Sequence, residues 1–149
     1  MAKAHRKSGH DERRFARRRV VQALYQWGMT GQAAAEIYRQ FISEQDMSRV
    51  DVDYFKTMLT AVVDQHESID KRLAENLDRD MSQIDPLELA VLRLGAYELL
   101  HHLDLPYRVV LDEAVNLAKN FGSEQSPVYI NGVLDHCARD WRSEEYGIR

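Results

Sequence analysis

The sequence predicts an all-α fold, and three observations support this class. Apolar residues recur every three or four positions from about residue 11 onward, which is the period of a helix with one buried face. No segment alternates between apolar and polar residues for long enough to suggest a β-sheet. Finally, Pro86, Pro106 and Pro127 each stand at the beginning of a helical pattern, where a proline is well tolerated.

The first helix is predicted at about residues 12–28. Its apolar side chains form a stripe that we expect to face the core, namely Ala16, Val20, Ala23, Leu24 and Trp27. A second stripe carries Arg14, Arg18 and Tyr25. Arg17 lies between the two stripes, and Gly28 and Gly31 mark the end of the helix. The polar residues up to His10 are expected to fold only on binding a partner.

Three more helices are predicted before the middle of the chain. One covers about residues 32–44, and the next begins near Asp51. The apolar pattern of that helix continues weakly through Ile69, Leu73 and Leu77, which indicates a separate short helix.

The clearest helix start is Asp85-Pro86-Leu87-Glu88, which combines an aspartate N-cap, a proline at the first helical position and a glutamate at the third. Almost every position from Leu87 to Leu103 is apolar, and the few charged residues point in different directions. This pattern is typical of a central helix that other helices surround.

Two further helices complete the predicted fold. Leu105-Pro106 opens one that ends at Gly122, and Ser126-Pro127 opens the last, in which we expect Gly132 to allow close helix packing. We therefore predict about seven helices in two small bundles, about 1–80 and 81–149, that share one core. The chain is predicted to be a single domain, 1–149, with a basic arm at about 1–14.

The charge is distributed unevenly along the 149 residues, although the net formal charge is −4. Residues 1–19 contain eight Lys and Arg against two acidic residues, a net charge of +6, so the remainder carries −10. Lys and Arg can neutralise phosphates and release counterions, so the arm is the expected contact with a nucleic acid. Where the arm becomes helix, Tyr25 could stack on an unpaired base.

Catalytic, metal and membrane functions find little support in the sequence. The six histidines do not have the spacing of a metal site, and no phosphate-binding loop, nucleophile elbow or Cys-His arrangement is present. Cys137 is expected to be a small core residue. We therefore expect a non-enzymatic protein without cofactor or metal. Because no apolar run is long enough to span a bilayer and no apolar stretch of a signal peptide follows the basic N-terminus, we also expect the protein to be cytoplasmic.

Four ordered segments resemble the NusB family. They are ARRRVVQALYQW (16–27), Asp85-Pro86-Leu87-Glu88 followed by AVLRLGAYEL (90–99), Leu105-Pro106-Tyr107-Arg108-Val109-Val110 with EAVNLAKNFG (113–122), and YINGVLD (129–135). The resemblance covers about residues 13–142. It implies an all-α fold of two bundles without enzymatic activity.

The resemblance also implies a transcription antitermination factor that binds the boxA element of nascent ribosomal RNA leaders together with NusE, a small-subunit ribosomal protein, within the transcription elongation complex. The RNA-binding set that we predict from the arm and the matched positions is Arg6, Lys7, Arg13, Arg14, Arg17, Arg18, Tyr25, Phe121, Gln125 and Tyr129. Glu88, Arg93 and Tyr97 match positions near the partner surface, although Arg93 and Tyr97 on an apolar helix are as readily explained as core residues.

Three alternatives remain at this point. The related N-terminal domain of ribosomal-RNA methyltransferases shares the helical architecture, but the sequence leaves no room for a cofactor-binding α/β domain. A helical adaptor could instead use its basic arm to dock on an acidic protein. The arm could also bind a membrane surface, but Leu24 and Trp27 are better explained as core residues.

Overall fold

The computed structural model describes the backbone of residues 2–147 and the side chains of residues 9–147. All regular structure in this part of the chain is helical, which confirms the predicted fold class. The helices are α1 (Ala2–Thr30), α2 (Ala34–Glu44), α3 (Val52–Asp64), α4 (His66–Ala74), a 3-10 turn (Met81–Gln83), α5 (Pro86–His101), α6 (Tyr107–Phe121), α7 (Ser126–Trp141) and α8 (Ser143–Tyr146).

Several helix ends lie where the sequence predicts them. The Asp51 carboxylate accepts a hydrogen bond from the Tyr54 amide at 3.0 Å, and Asp85 accepts from the amides of Leu87 and Glu88, both at 3.2 Å. These bonds satisfy backbone donors that have no partner within a first helical turn. Gly31, with φ of +73°, follows α1 in the left-handed region that favours glycine.

The predicted start of α1 is wrong, because the helix begins at Ala2 rather than near residue 12. A helix that packing already holds further along the chain can extend without a new nucleation step. The preceding segment contains Ala, Lys and Arg, which favour helix, and no proline. The helix opened by Ser126-Pro127 is not the last one either, since α8 follows it.

Close helix packing occurs at Gly95 and not at Gly132. A Cβ atom at Gly95 would lie 2.7 Å from Cδ1 of the fully buried Leu134, whereas a Cβ atom at Gly132 would meet nothing within 4 Å. The prediction that Gly132 permits close packing is therefore wrong. The contact that fixes the approach of α5 and α7 comes from the α5 glycine.

The central helix of the fold is α5, which confirms its predicted role. It packs against α1, α6 and α7. Arg17 and Trp27 of α1 contact Glu98 and Arg93, so α1 runs antiparallel to α5. The first turn of α7 meets the first turn of α5, where Ser126 bonds to Glu88, so these two helices are parallel. One apolar core contains residues from α1 to α7.

Candidate nucleic-acid interface

A groove at the N-terminal end of α5 contains Tyr25, the aromatic residue predicted to bind RNA. The groove has a volume of about 590 Å³, and its lining includes Tyr25, Met29, Ser82, Pro86, Leu89 and Arg93. We call it the Tyr25 groove. The Tyr25 side chain is 40% exposed and Met29 is 59% exposed, so an aromatic face and a flexible apolar side chain are open to a ligand.

Arg93 contributes to the Tyr25 groove but is engaged within the protein. Its guanidinium donates two hydrogen bonds to Asp70, both of 2.9 Å, and its Cζ atom lies 5.3 Å from the centroid of the Trp27 ring. These contacts join α5 to α4 and α1. Arg93 therefore shapes the groove by holding three helices in place.

The loop between α6 and α7 lies at the same end of α5. The Ser126 hydroxyl donates a hydrogen bond of 2.5 Å to Glu88, which ties the loop to the first turn of α5. Gln125 is exposed beside this anchor, and Phe121 is half-buried against the core. Tyr25 and the α6–α7 loop with Phe121 and Gln125, about 100 residues later in the sequence, therefore both lie at the N-terminal end of α5.

Tyr129 faces a different groove, between α7 and the segment that follows α4, with a volume of about 330 Å³. The Arg79 guanidinium lies over its ring, with Cζ 4.4 Å from the centroid. Burial raises the pKa of Tyr129, and its hydroxyl has no hydrogen-bond partner among the residues described. Arg79 is not among the residues predicted from the sequence, because nothing in the sequence places it on that ring.

Arg14 keeps one side toward solvent while it contacts α6. Its guanidinium donates to both carboxylate oxygens of Glu113, at 3.2 and 2.9 Å, and the side chain remains 39% exposed. The hydrogen bond that Arg14 donates to Glu113 and the negative charge of Glu113 raise the pKa of Arg14. Arg14 can therefore still offer guanidinium donors to a phosphate.

The burial of Arg17 contradicts the prediction that this side chain faces RNA. Its side chain is only 3% exposed and donates a 3.0 Å hydrogen bond to Glu98, which is 2% exposed. The Tyr54 hydroxyl bonds to the same carboxylate oxygen of Glu98. Burial alone lowers the pKa of Arg17, but the charges of Glu98 and of its other neighbours outweigh that effect and raise it.

The other predicted arginines do not form a continuous line toward Tyr25. Arg13 lies over the Tyr54 ring, with Cζ 4.4 Å from the centroid, and Arg18 lies 5.1 Å from the centroid of Phe15. The side chains of Arg6 and Lys7 lie outside the described residues. Arg14, Arg18 and Tyr25 share one stripe of the helix, but their side chains therefore lie in three different environments.

Glu88 and Tyr97 have structural partners of their own. Glu88 accepts the hydrogen bond from Ser126, and Tyr97 is 9% exposed, with its ring centroid 4.7 Å from that of His101 and 5.5 Å from that of His102. Tyr97 thus belongs to the edge of the core. A surface contact with a partner, as predicted for Tyr97, would need an exposed ring, and this ring is buried.

Neither a metal site nor a reactive thiol emerges from the side chains that the structure describes. No group of three or more His, Cys, Asp or Glu residues in that region could hold a metal ion. Cys137 is fully buried, as predicted, and burial raises the pKa of its thiol to about 12. No helix in the described region is long and apolar enough to cross a membrane.

Comparison with known proteins assigns this architecture to a family. A family model described as the NusB family matches residues 14–139. The transcription antitermination protein NusB of Acinetobacter baumannii (strain AYE) is 50% identical over 133 residues, with 89% of each chain covered. The protein of the same name from Stenotrophomonas maltophilia (strain K279a) is 48% identical over 132 residues, with 89% of this chain and 83% of the relative covered.

Solved structures agree with the sequence comparison. NusB of T. maritima superposes with a TM-score of 0.78 at 26% identity, covering 91% of this chain and 97% of the other. A crystal structure of the antitermination factors NusB and NusE in complex with dsRNA gives a TM-score of 0.79 at 25% identity, covering 87% and 98%. With its matched length, its identity to curated relatives and its fold, the chain belongs to the NusB family.

Proposed function

We propose that this protein is a non-catalytic transcription antitermination factor that binds the boxA element of nascent ribosomal RNA leaders together with NusE. The relatives carry the name of transcription antitermination protein, and a structural neighbour is a NusB–NusE complex with dsRNA. The observation that carries the proposal is the exposed Tyr25 ring in a groove that α1 helps to form, on the same helix as the strongly basic segment up to residue 19.

The chemistry of this surface suits a single RNA strand. Lys and Arg of the arm attract phosphates, and the half-exposed Arg14 can share its guanidinium between Glu113 and a phosphate oxygen. An exposed tyrosine ring can stack on a base whatever its identity. Glu88 holds the α6–α7 loop in place, and Arg93 holds the walls of the Tyr25 groove in place.

The proposal is tested by titrating the full-length protein with boxA RNA and with a scrambled RNA of equal length, with and without NusE. We expect tighter binding to boxA, and a further gain when NusE is present. Equal binding to both RNAs would show that the basic arm binds RNA without sequence specificity, which would contradict recognition of boxA. If neither RNA binds, the protein is better explained as a helical adaptor whose arm docks on an acidic partner.

Replacing Tyr25 by Ala should weaken boxA binding by about 1–3 kcal/mol, because the base loses its stacking platform. The slope of log affinity against log salt should stay unchanged, since no phosphate contact is removed. The matched control is Met29→Ala, which shortens another exposed side chain of the Tyr25 groove without removing a ring. Equal losses in the two variants would exclude stacking, and circular dichroism checks that both variants remain folded.

Replacing Gln125 by Asp should weaken RNA binding roughly two- to fivefold at low salt, because a carboxylate repels nearby phosphates by no more than about 1 kcal/mol at an exposed position. The difference should shrink as salt screens the charge. Gln125→Asn is the control, since Asn has the shape of Asp without its charge. Identical affinities of the two variants in low salt would place the α6–α7 loop away from the RNA.

A further inference from the structure

A small pocket lies between α1 and the connection from α2 to α3, outside the Tyr25 groove. It has a volume of about 200 Å³ and is lined by Phe15, Arg18, Arg19, Asp46, Arg49 and Val50. We call it the Phe15 pocket. On α1, Arg19 precedes Tyr25 by six residues, which places the two side chains roughly 120° apart around the helix.

The Phe15 ring holds two guanidinium groups in the pocket. The Cζ atom of Arg18 lies 5.1 Å from the ring centroid and that of Arg49 lies 4.7 Å from it. Cation–π attraction at these distances favours both positions. The aromatic ring therefore gathers one cation from α1 and one from the α2–α3 connection, although the two charges repel each other.

Arg19 contributes a third guanidinium that neutral groups orient. Its Nη1 donates to the side-chain oxygen of Gln22 at 2.9 Å, and its Nη2 donates to the backbone carbonyl of Asp46 at 3.1 Å. Neither acceptor carries a charge. These bonds orient the Arg19 side chain, and the carboxylate of Asp46 interacts with its charge without forming an ion pair.

The Phe15 pocket has an uncompensated positive charge. Within the described chain, none of its three arginines forms an ion pair with a carboxylate. Asp46 supplies the single acidic side chain of the lining, and its carboxylate accepts hydrogen bonds from the amide and the hydroxyl of Ser48, at 3.1 and 2.7 Å. Three cations and one anion leave a net charge of +2 around the pocket.

Two hydrogen-bond donors of the pocket residues also lack a partner. The Nε atoms of Arg18 and Arg19 are buried, and neither donates to any acceptor among the residues described. A buried polar group without a partner costs free energy. An anion with several oxygens in the pocket would accept hydrogen bonds from the guanidinium groups that line it, and it would offset their mutual repulsion.

We propose that the Phe15 pocket binds a phosphate group, and that the group is a backbone phosphodiester of the bound RNA. The second part rests on the proposed function. The pocket adjoins the basic arm, so a strand held by the arm can continue over α1 toward Tyr25 with one phosphate between Arg18, Arg19 and Arg49. Arg49 thereby becomes a binding residue that lies outside the arm.

The phosphate site is tested first without RNA. In the full-length protein, titration with inorganic phosphate should shift the NMR signals of the Arg18 and Arg19 Nε–H groups. Arg49→Gln should weaken this binding about tenfold, the typical effect of losing a hydrogen bond to a charged group. The control is Arg39→Gln, which removes the same charge from an exposed position of α2. Unmoved Nε–H signals, or equal effects of both variants, would overturn the phosphate site.

The assignment to RNA is tested by the salt dependence of boxA binding. Arg49→Gln should lower the slope of log affinity against log salt by about 0.7, the value for one phosphate contact on a single strand, whereas Arg39→Gln should not change it. Phosphate binding with an unchanged slope would overturn the RNA assignment and leave free phosphate as the ligand. Failure of the wild-type protein to bind RNA would contradict the proposed function, and the phosphate titration would still decide the site independently.

Discussion

Replacing Arg17 by Met should lower the free energy of unfolding by about 3–5 kcal/mol, because it leaves the carboxylate of Glu98 buried without its cation. Both side chains are almost completely buried, and their hydrogen bond measures 3.0 Å. The hydroxyl of Tyr54 remains as a donor to Glu98, but it carries no charge to balance the carboxylate. Urea unfolding followed by circular dichroism measures the loss.

The double variant Arg17→Met with Glu98→Leu should recover most of this loss, since apolar side chains of similar size often replace a buried ion pair at little cost. Arg13→Met serves as the control one turn earlier in α1. It removes a cation from the Tyr54 ring at a more exposed position and should cost about 1 kcal/mol or less. A loss of less than 1 kcal/mol in the single Arg17 variant would contradict a buried ion pair at this site.

Replacing Arg142 by Ala should lower the free energy of unfolding by roughly 2–4 kcal/mol, because four backbone carbonyls lose a hydrogen bond from its guanidinium. The Arg142 guanidinium donates to the carbonyls of Leu99 at 2.9 Å and Leu105 at 2.6 Å, and it also bonds to those of Glu98 and His102. These groups lie at and beyond the C-terminal end of α5. A cation there also stabilises the helix dipole.

The control for this prediction is Arg139→Ala, which removes an exposed arginine from the preceding turn of α7 and should change stability by about 0.5 kcal/mol. Arg142→Lys should retain part of the stability, since lysine keeps the charge without the planar set of donors. Hydrogen exchange should show faster opening of the last turn of α5 in Arg142→Ala. If both alanine variants unfold at the same urea concentration, Arg142 does not cap α5.

The sequence predicts the helices well because their signals are local. The apolar period predicts the buried faces of α1 and α7, and the Asp51 and Asp85 N-caps satisfy their own first turns. Each of these signals depends on residues within about four positions. The start of α1 at Ala2 is missed because a weakly apolar segment extends a helix that is stabilised elsewhere.

The partners of charged residues are much harder to predict, since they are distant in sequence. Arg17 lies at the edge of the apolar stripe. Only the fold shows that it pairs in the core with Glu98, which is 81 residues later in the sequence. Arg49 joins Phe15 and Arg18 from a separate connection. The predicted RNA-binding set came from charge along the chain and from positions matched to the family, and neither source shows that Arg17 is buried or that Arg49 lies beside Phe15.

The 29-residue length of α1 separates two regions of opposite charge. The amide of Asp51 bonds to the carbonyl of Glu12, so ten helical residues, about 15 Å at 1.5 Å per residue, precede that attachment. Three of them are Lys3, Arg6 and Lys7. The Debye length is about 8 Å in physiological salt, so the acidic body is largely screened from the tip, whereas at 0.01 M it is about 30 Å. In physiological salt an approaching polyanion should therefore be attracted by the basic tip before the acidic body repels it. In dilute buffer both electrostatic fields should act on it at the same time.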